Sequence, residues 1–125
     1  MELGDLVTRE AVIPSLQAST KKQVLLELVG KASVHTGLDQ REVFEALLQR
    51  ERLGSTGFGR GVAIPHVKLR SLESTVCLFA RLRAPVDFNA LDGEPVDLIF
   101  LLLSPEHASG DHLKTLARIS RLVRE

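Results

Sequence analysis

The run "PVDLIFLLLS", residues 95 to 104, is the strongest constraint on the fold, because after Asp97 it holds six consecutive large apolar residues. A strand with one face in water alternates apolar and polar residues, whereas one covered on both faces does not. This run therefore predicts a central strand with material packed above and below it. A second run, "STVCLFARL", is rich in β-branched, aromatic and leucine residues and reads as a neighbouring core strand. The segment between them, "VDFNALDGEP", carries the turn signal Asp92-Gly93.

The layers that cover the strands are predicted by helical periodicity. After a short extended segment, "VIPSLQA", Thr20 and Gln23 form a T-x-x-Q capping box, and Val24, Leu25, Leu28, Val29 and Ala32 fall on one helical face. After "HTGL", Asp39 is the N-cap of a second helix with Glu42 three residues on; Val43, Phe44, Leu47 and Leu48 form its apolar stripe and Gly54 ends it. A last helix follows "SPEHASGD", with Leu113, Leu116, Ala117, Ser120 and Val123 spaced for packing. Helix, helix, strands, helix favours an α/β sheet covered by helices over a bundle or an all-β sandwich. A chain of 125 residues, 44% of them hydrophobic, has the size of one domain with its own core.

Charge excludes some partners. Sixteen basic residues balance sixteen acidic ones, so the basic excess of a nucleic-acid or anionic-membrane binder is missing. One cysteine permits no internal disulfide, and Cys77, inside "TVCLFA", reads as a small buried hydrophobe. The start "MELGDLVTRE" has charges where a signal peptide needs an apolar stretch, and no run approaches ~18 apolar residues. The expectation is a soluble, cytoplasmic protein.

Chemistry concentrates in "GSTGFGRGVAIPHVKL", residues 54 to 69. Gly57, Gly59 and Gly61 match neither nucleotide-binding fingerprint: no lysine follows them, and they come after a helix and enter an extended run. They read as a turn-rich connection, or as a place where another molecule's backbone approaches closely. Pro65 forces Ile64 to be extended and lacks an N–H, so a strand through "VAI" ends there and His66 is presented at a strand end. A lone histidine is often a structural hydrogen-bonder. Around this one, however, Arg50, Arg52, Arg60, Lys68 and Arg70 face a single acid, Glu51. Such a cluster suits an anionic group such as phosphoryl and equally fits a solvated loop. His112 follows Asp111 in the expected first turn of the last helix, where a neutral imidazole is favoured over an imidazolium. It reads as a hydrogen-bond donor or as a surface residue. His107 and His112 lack the spacing of a helical zinc motif, and no cofactor or metal is expected.

Several of these segments together carry a resemblance. "LLQRERLGSTGFGRGVAIPHVKL" resembles the active-site signature of fructose/mannitol-type enzyme IIA domains of the bacterial phosphoenolpyruvate-dependent phosphotransferase system. The similarity extends to "VDFNALDGEPVDLIFLLLSP", "HLKTLARISRLV" and, more weakly, "IPSLQASTKKQVLLELV", and is greatest toward the nitrogen-regulatory members. It implies a three-layer α/β fold with a mixed sheet, and a single domain over residues 1–125. It also implies phosphorylation of His66 by the carrier protein HPr, with Arg50 neutralising the phosphoryl oxygens and His112 donating a hydrogen bond. Thr56, Gly57 and Gly59 would shape the surface through which phosphoryl and partner approach. The partners implied are HPr and either a regulated target or a sugar-specific IIB component; self-association is left open. The sequence departs from the common pattern at Val67, where glycine often follows the histidine, and at Arg60, often a small polar residue. It also ends at "RLVRE", where members usually continue into a short helix, so that Leu116, Ile119 and Val123, which such a helix would cover, are expected to lie open or to find another lid.

Overall fold

The computed structural model describes residues 12–70, 72, 75–107 and 109–124. Two helices lead after the first strand: β1 (Val12–Leu16), α1 (Lys21–Thr36), α2 (Gln40–Leu53), β2 (Gly57–Gly59), β3 (Val62–Ala63), β4 (His66–Leu69), β5 (Val76–Val86), β6 (Val96–Pro105) and α3 (Ser109–Arg124). The six strands form one mixed sheet in the order β1-β5-β6-β3-β2, with β4 also on β6. β6 pairs antiparallel with β5, Phe79 opposite Phe100, and parallel with β3 and β4. It is thus the central strand its composition predicts.

The sheet divides two apolar layers. On one face Leu78, Ala80, Ile99, Leu101 and Leu103 meet Val24, Leu25, Leu28 and Val29 of α1 and Val43 and Leu47 of α2. On the other, Val62, Ile64, Cys77, Phe100 and Leu102 meet Ile119 of α3. Alternation along the strands delivers side chains to each face in turn, and the result is the expected three-layer mixed-sheet architecture. Burial pushes the Cys77 thiol up to about 12, so it is a packing residue.

The helix starts follow their predicted caps. Gln23 N–H donates to Thr20 Oγ1 (3.1 Å) and Arg41 N–H to Asp39 Oδ1 (2.9 Å). The capping box differs in one bond: the side-chain Oε1 of Gln23 accepts from the backbone N–H and the hydroxyl of Ser19 rather than from the Thr20 backbone. Among the described side chains of α3, Thr115 and Ile119 are buried and Leu116 and Ser120 partly so, while Leu113 and Ala117 are exposed, a rotation from the predicted stripe. Ile119, expected to lie open or to find another lid, is fully buried against the sheet; the Val123 side chain lies outside the described residues.

Candidate functional site

His66 sits where one continuous strand would have run. β3 and β4 lie end to end along β6, interrupted at Ile64-Pro65, because proline has no N–H for the ladder. The histidine is therefore the first residue of β4, just past the break, rather than the last residue of β3. Val67 and Leu69 point into the α1/α2 layer, while Val62 and Ile64 belong to the α3 layer. By alternation His66 and Lys68 are delivered to the α3 side.

The glycine-rich connection is a folded hairpin whose conformation explains its glycines. Arg60 and Gly61 both have positive φ (57° and 81°) in the turn between β2 and β3, the pairing a tight hairpin turn demands. Arg60 N–H donates to Asp92 Oδ2 (2.9 Å) and Glu94 N–H to Asp92 Oδ1 (3.0 Å), holding that carboxyl below its ordinary range. A Cβ on Gly57 would stand 2.9 Å from the Cα and Cβ of Ala90. The backbone that approaches so closely is the chain's own, the 87–95 loop.

α2 supplies the other charged groups. Arg50 lies in its last turn, where a cation opposes the negative end of the helix, and donates through Nη1 to Gly54 O (3.0 Å). Glu51, beside it, turns inward: its side chain is 5% exposed, paired with Lys21 Nζ at 2.6 Å. It also accepts from the Thr56 backbone (3.1 Å) and the Thr56 hydroxyl.

The Nδ1 contact of the imidazole fixes its tautomer. His66 Nδ1 lies 2.7 Å from Ile64 O. A carbonyl only accepts, so Nδ1 carries the proton and Nε2 carries the ring lone pair. Burial chiefly, with the Arg50 charge in addition, moves the His66 pKa below its ordinary value, against the opposing influence of the Ile64 bond and Glu51. The ring is thereby kept neutral and nucleophilic near neutral pH.

Two adjoining hollows open around it. One, about 620 Å³, is lined by Ser55, Thr56, Gly57, Arg60, Ile64, His66, Leu91, Leu116 and Ser120. The other, about 470 Å³, is lined by Ala46, Gln49, Arg50, Leu53, His66, Val67, Lys68, Leu113 and Leu116. His66 and Leu116 border both and form the ridge between them. Leu53, Leu91 and Leu113 are 85%, 95% and 65% exposed, so the cations are interleaved with open apolar surface.

His66 and Arg50 therefore share a groove, and Thr56 and Gly57 line the hollow beside it, whereas Gly59 does not line either. His112 falls in the first turn of α3, next to Leu113, with its side chain outside the described residues. Sequence reasoning passed over Lys21 and the structural part of Glu51. Thirty positions separate the two, and only the packing of α1 on α2 brings them together. Among the described residues no cluster of three or more metal-ligating side chains occurs, and no helix is long and apolar enough to cross a membrane.

The family model for the phosphoenolpyruvate-dependent sugar phosphotransferase system, EIIA 2, matches residues 5–125. A nitrogen regulatory protein of Bradyrhizobium diazoefficiens is 58% identical over 125 residues, covering 100% of this chain and 82% of the relative. The fructose-specific EIIABC component of Bacillus subtilis is 35% identical over 124 residues, covering 98% of this chain and 20% of that protein. Among solved structures, the nitrogen regulatory protein IIA-Ntr of Neisseria meningitidis superimposes with a TM-score of 0.93 at 37% identity, covering 98% of this chain and 84% of that one.

Proposed function

This chain belongs to the EIIA 2 family of the phosphoenolpyruvate-dependent sugar phosphotransferase system, and on that premise we propose that it is a regulator of the nitrogen-regulatory type, switched by a phosphoryl group on His66 Nε2. The observation that carries this reading is the 2.7 Å bond from His66 Nδ1–H to the Ile64 carbonyl, which leaves the lone pair on the other nitrogen of a ring held neutral.

The donor is an HPr-like carrier. Nε2 attacks phosphorus as the bond from phosphorus to the donor breaks, and the new N–P bond puts positive charge on the His66 ring. Nδ1 keeps its proton through this step, and its bond to the carbonyl strengthens as the charge grows. Arg50, in the same groove, meets the oxygens of the transferring group, and His112, from the first turn of α3, is assigned by this reading as a hydrogen-bond donor to them. Thr56 and Gly57 shape the neighbouring hollow, and Gly59 acts through the hairpin turn alone. Leu53, Leu91 and Leu113 supply the apolar part of the surface on which a carrier docks. Phosphorylation then adds charge and three acceptor oxygens to that surface, which changes the partners it fits.

Incubation with phosphoenolpyruvate, enzyme I and HPr should add one acid-labile phosphoryl group by mass, and His66→Ala should abolish it. Acid-labile label retained on His66→Ala would exclude this residue as the carrier. The 35% identity to a fructose-specific component supports a second reading, transfer onward to a sugar-specific IIB protein. Rapid discharge of the phosphorylated chain by such a protein would favour that role.

A further inference from the structure

The carboxylate of Glu51 begins a continuous polar chain that ends at the nucleophile. Lys21 Nζ clamps Glu51 Oε2 at 2.6 Å. Lys21 is itself fixed on two further sides: it donates to Phe88 O (3.4 Å) and lies 5.1 Å over the Phe88 ring. Glu51 in turn accepts from both the N–H and the hydroxyl of Thr56, a residue 8% exposed. The Thr56 carbonyl accepts from Ile64 N–H at 3.0 Å, across the base of the β2–β3 hairpin. The Ile64 carbonyl, at the other end of the same residue, accepts from His66 Nδ1.

A buried carboxylate carries a large desolvation cost unless its acceptor sites are filled. Here they are filled by three donors from α1 and the loop after α2, so Glu51 has one arrangement. Thr56 is held by two bonds to that one side chain, and Ile64 is held by Thr56. The hairpin is also tied to β6 on either side of Ile64, where Ala63 pairs with Ile99 and the Pro65 carbonyl accepts from Leu102 N–H, and it is held at its tip through Asp92. The N–H of Ile64 itself is bonded to Thr56, at the opposite end of the residue from the carbonyl that meets His66.

We infer that Glu51, clamped by Lys21, is a positioning residue that acts through Thr56 and Ile64 to aim the Ile64 carbonyl at His66 Nδ1, and so selects the tautomer with its lone pair on Nε2. The inference rests on the reading of His66 as the phosphoryl acceptor only for its kinetic consequence; the tautomer itself is a property of the resting protein. The free imidazole of histidine prefers the opposite tautomer, with the proton on Nε2, so loss of the aim changes the population in a known direction.

The test uses the full chain with ¹⁵N-labelled histidine, the ring nitrogens of His66 being assigned by comparison with His66→Ala. Above its titration, wild-type His66 should show a protonated Nδ1 and an unprotonated Nε2. Glu51→Gln, Lys21→Met and Thr56→Val should each raise the Nε2–H population, and Lys21→Arg should restore the wild-type pattern. With HPr as donor, the turnover rate of Glu51→Gln should fall about tenfold, the size usual for losing a partner that orients a reacting imidazole, with little change in KM. An unchanged His66 tautomer in whichever of the three variants retain the native amide spectrum would overturn the inference. Loss of the native spectrum by all three would overturn it too, by assigning the network to stability alone. A wild-type chain that takes no phosphoryl group would sink the proposed function while the nitrogen spectra still decided the positioning role.

Discussion

Among the described residues, the two faces of the sheet carry apolar layers of different extent. Under α1 and α2, the described residues form one continuous cluster of 21 buried apolar side chains, from Leu16 to Leu103. Under α3 the corresponding cluster among the described residues has six, and Phe79, Leu98 and Leu116 at its margin are only partly buried. His66 is delivered to this thinner side, yet it is held by bonds that run back to Glu51 and Lys21 on the thick side. The contrast teaches how the proposed site is divided: one layer supplies the bonds that hold the ring, and the other leaves the proposed acceptor nitrogen beside an open groove. Functional surfaces sit at the low-stability end of a structure for this reason.

The largest effect should come from the thick face. Leu101 is fully buried in its centre, and Leu101→Ala should cost about 2–5 kcal/mol, the range for truncating a buried leucine. Leu116→Ala, at the margin of the thin face, should cost less than half as much. Denaturant melts of the two variants measure the difference, and equal losses would remove the distinction between the faces.

Arg50 sharpens the comparison from another side, since it belongs to the thick layer but faces the groove. Arg50→Ala gives up one bond, to Gly54 O, and a half-exposed charge, so its melt should stay within about 0.5 kcal/mol of wild type. Phosphorylation by HPr should slow about 100-fold, the size found when a donor to transition-state charge is removed. A rate within twofold of wild type would take Arg50 out of the transfer step.

How far the sequence discloses these features depends on whether their cause is local. The central strand β6 is legible because six adjacent apolar residues admit no half-exposed strand, and the Thr20 and Asp39 caps because a cap is set within three residues. The break at Pro65 and the place of His66 beside it follow from the missing N–H of one residue. The rotation of α3 is not legible, because Leu113 and Ala117 fit a helical stripe as well as Thr115 and Ile119 do, and only the partner layer chooses between them. Nor is the Lys21–Glu51 pair, which joins residues from two helices. The same holds for Gly57, whose close neighbour Ala90 is 33 positions away.

A smaller effect should come from the open leucines. Leu91, 95% exposed at the rim of the first hollow, contributes nothing to the core. Leu91→Ser should therefore leave stability unchanged and weaken HPr binding by less than about 1 kcal/mol, or about fivefold in KM. Titration of the initial rate against HPr concentration reads this directly. A drop in kcat at constant KM would show that the residue acts on the transfer step instead of docking.

The smallest effect is on pH dependence, and it tests whether α2 tunes the charge of the ring on the thinner side as well as orienting it. Burial first, then the Arg50 charge, holds the His66 pKa below its ordinary value. The unfolded chain therefore binds more protons than the folded one between the folded value and the ordinary one. The stability His66 contributes is complete above the ordinary histidine value, declines as pH falls below it and levels off below the folded value. His66→Ala should flatten that part of the stability profile. The same lowered pKa keeps Nε2 nucleophilic, so the rate of phosphorylation should hold its plateau to lower pH than an exposed histidine allows. Arg50→Ala removes a repulsive cation and should move the acid limb of the rate profile to higher pH. Glu51→Gln removes an attractive anion and should move it the opposite way. An acid limb that moves down in Arg50→Ala, or stays fixed in both variants, would show that α2 orients this ring without tuning its charge.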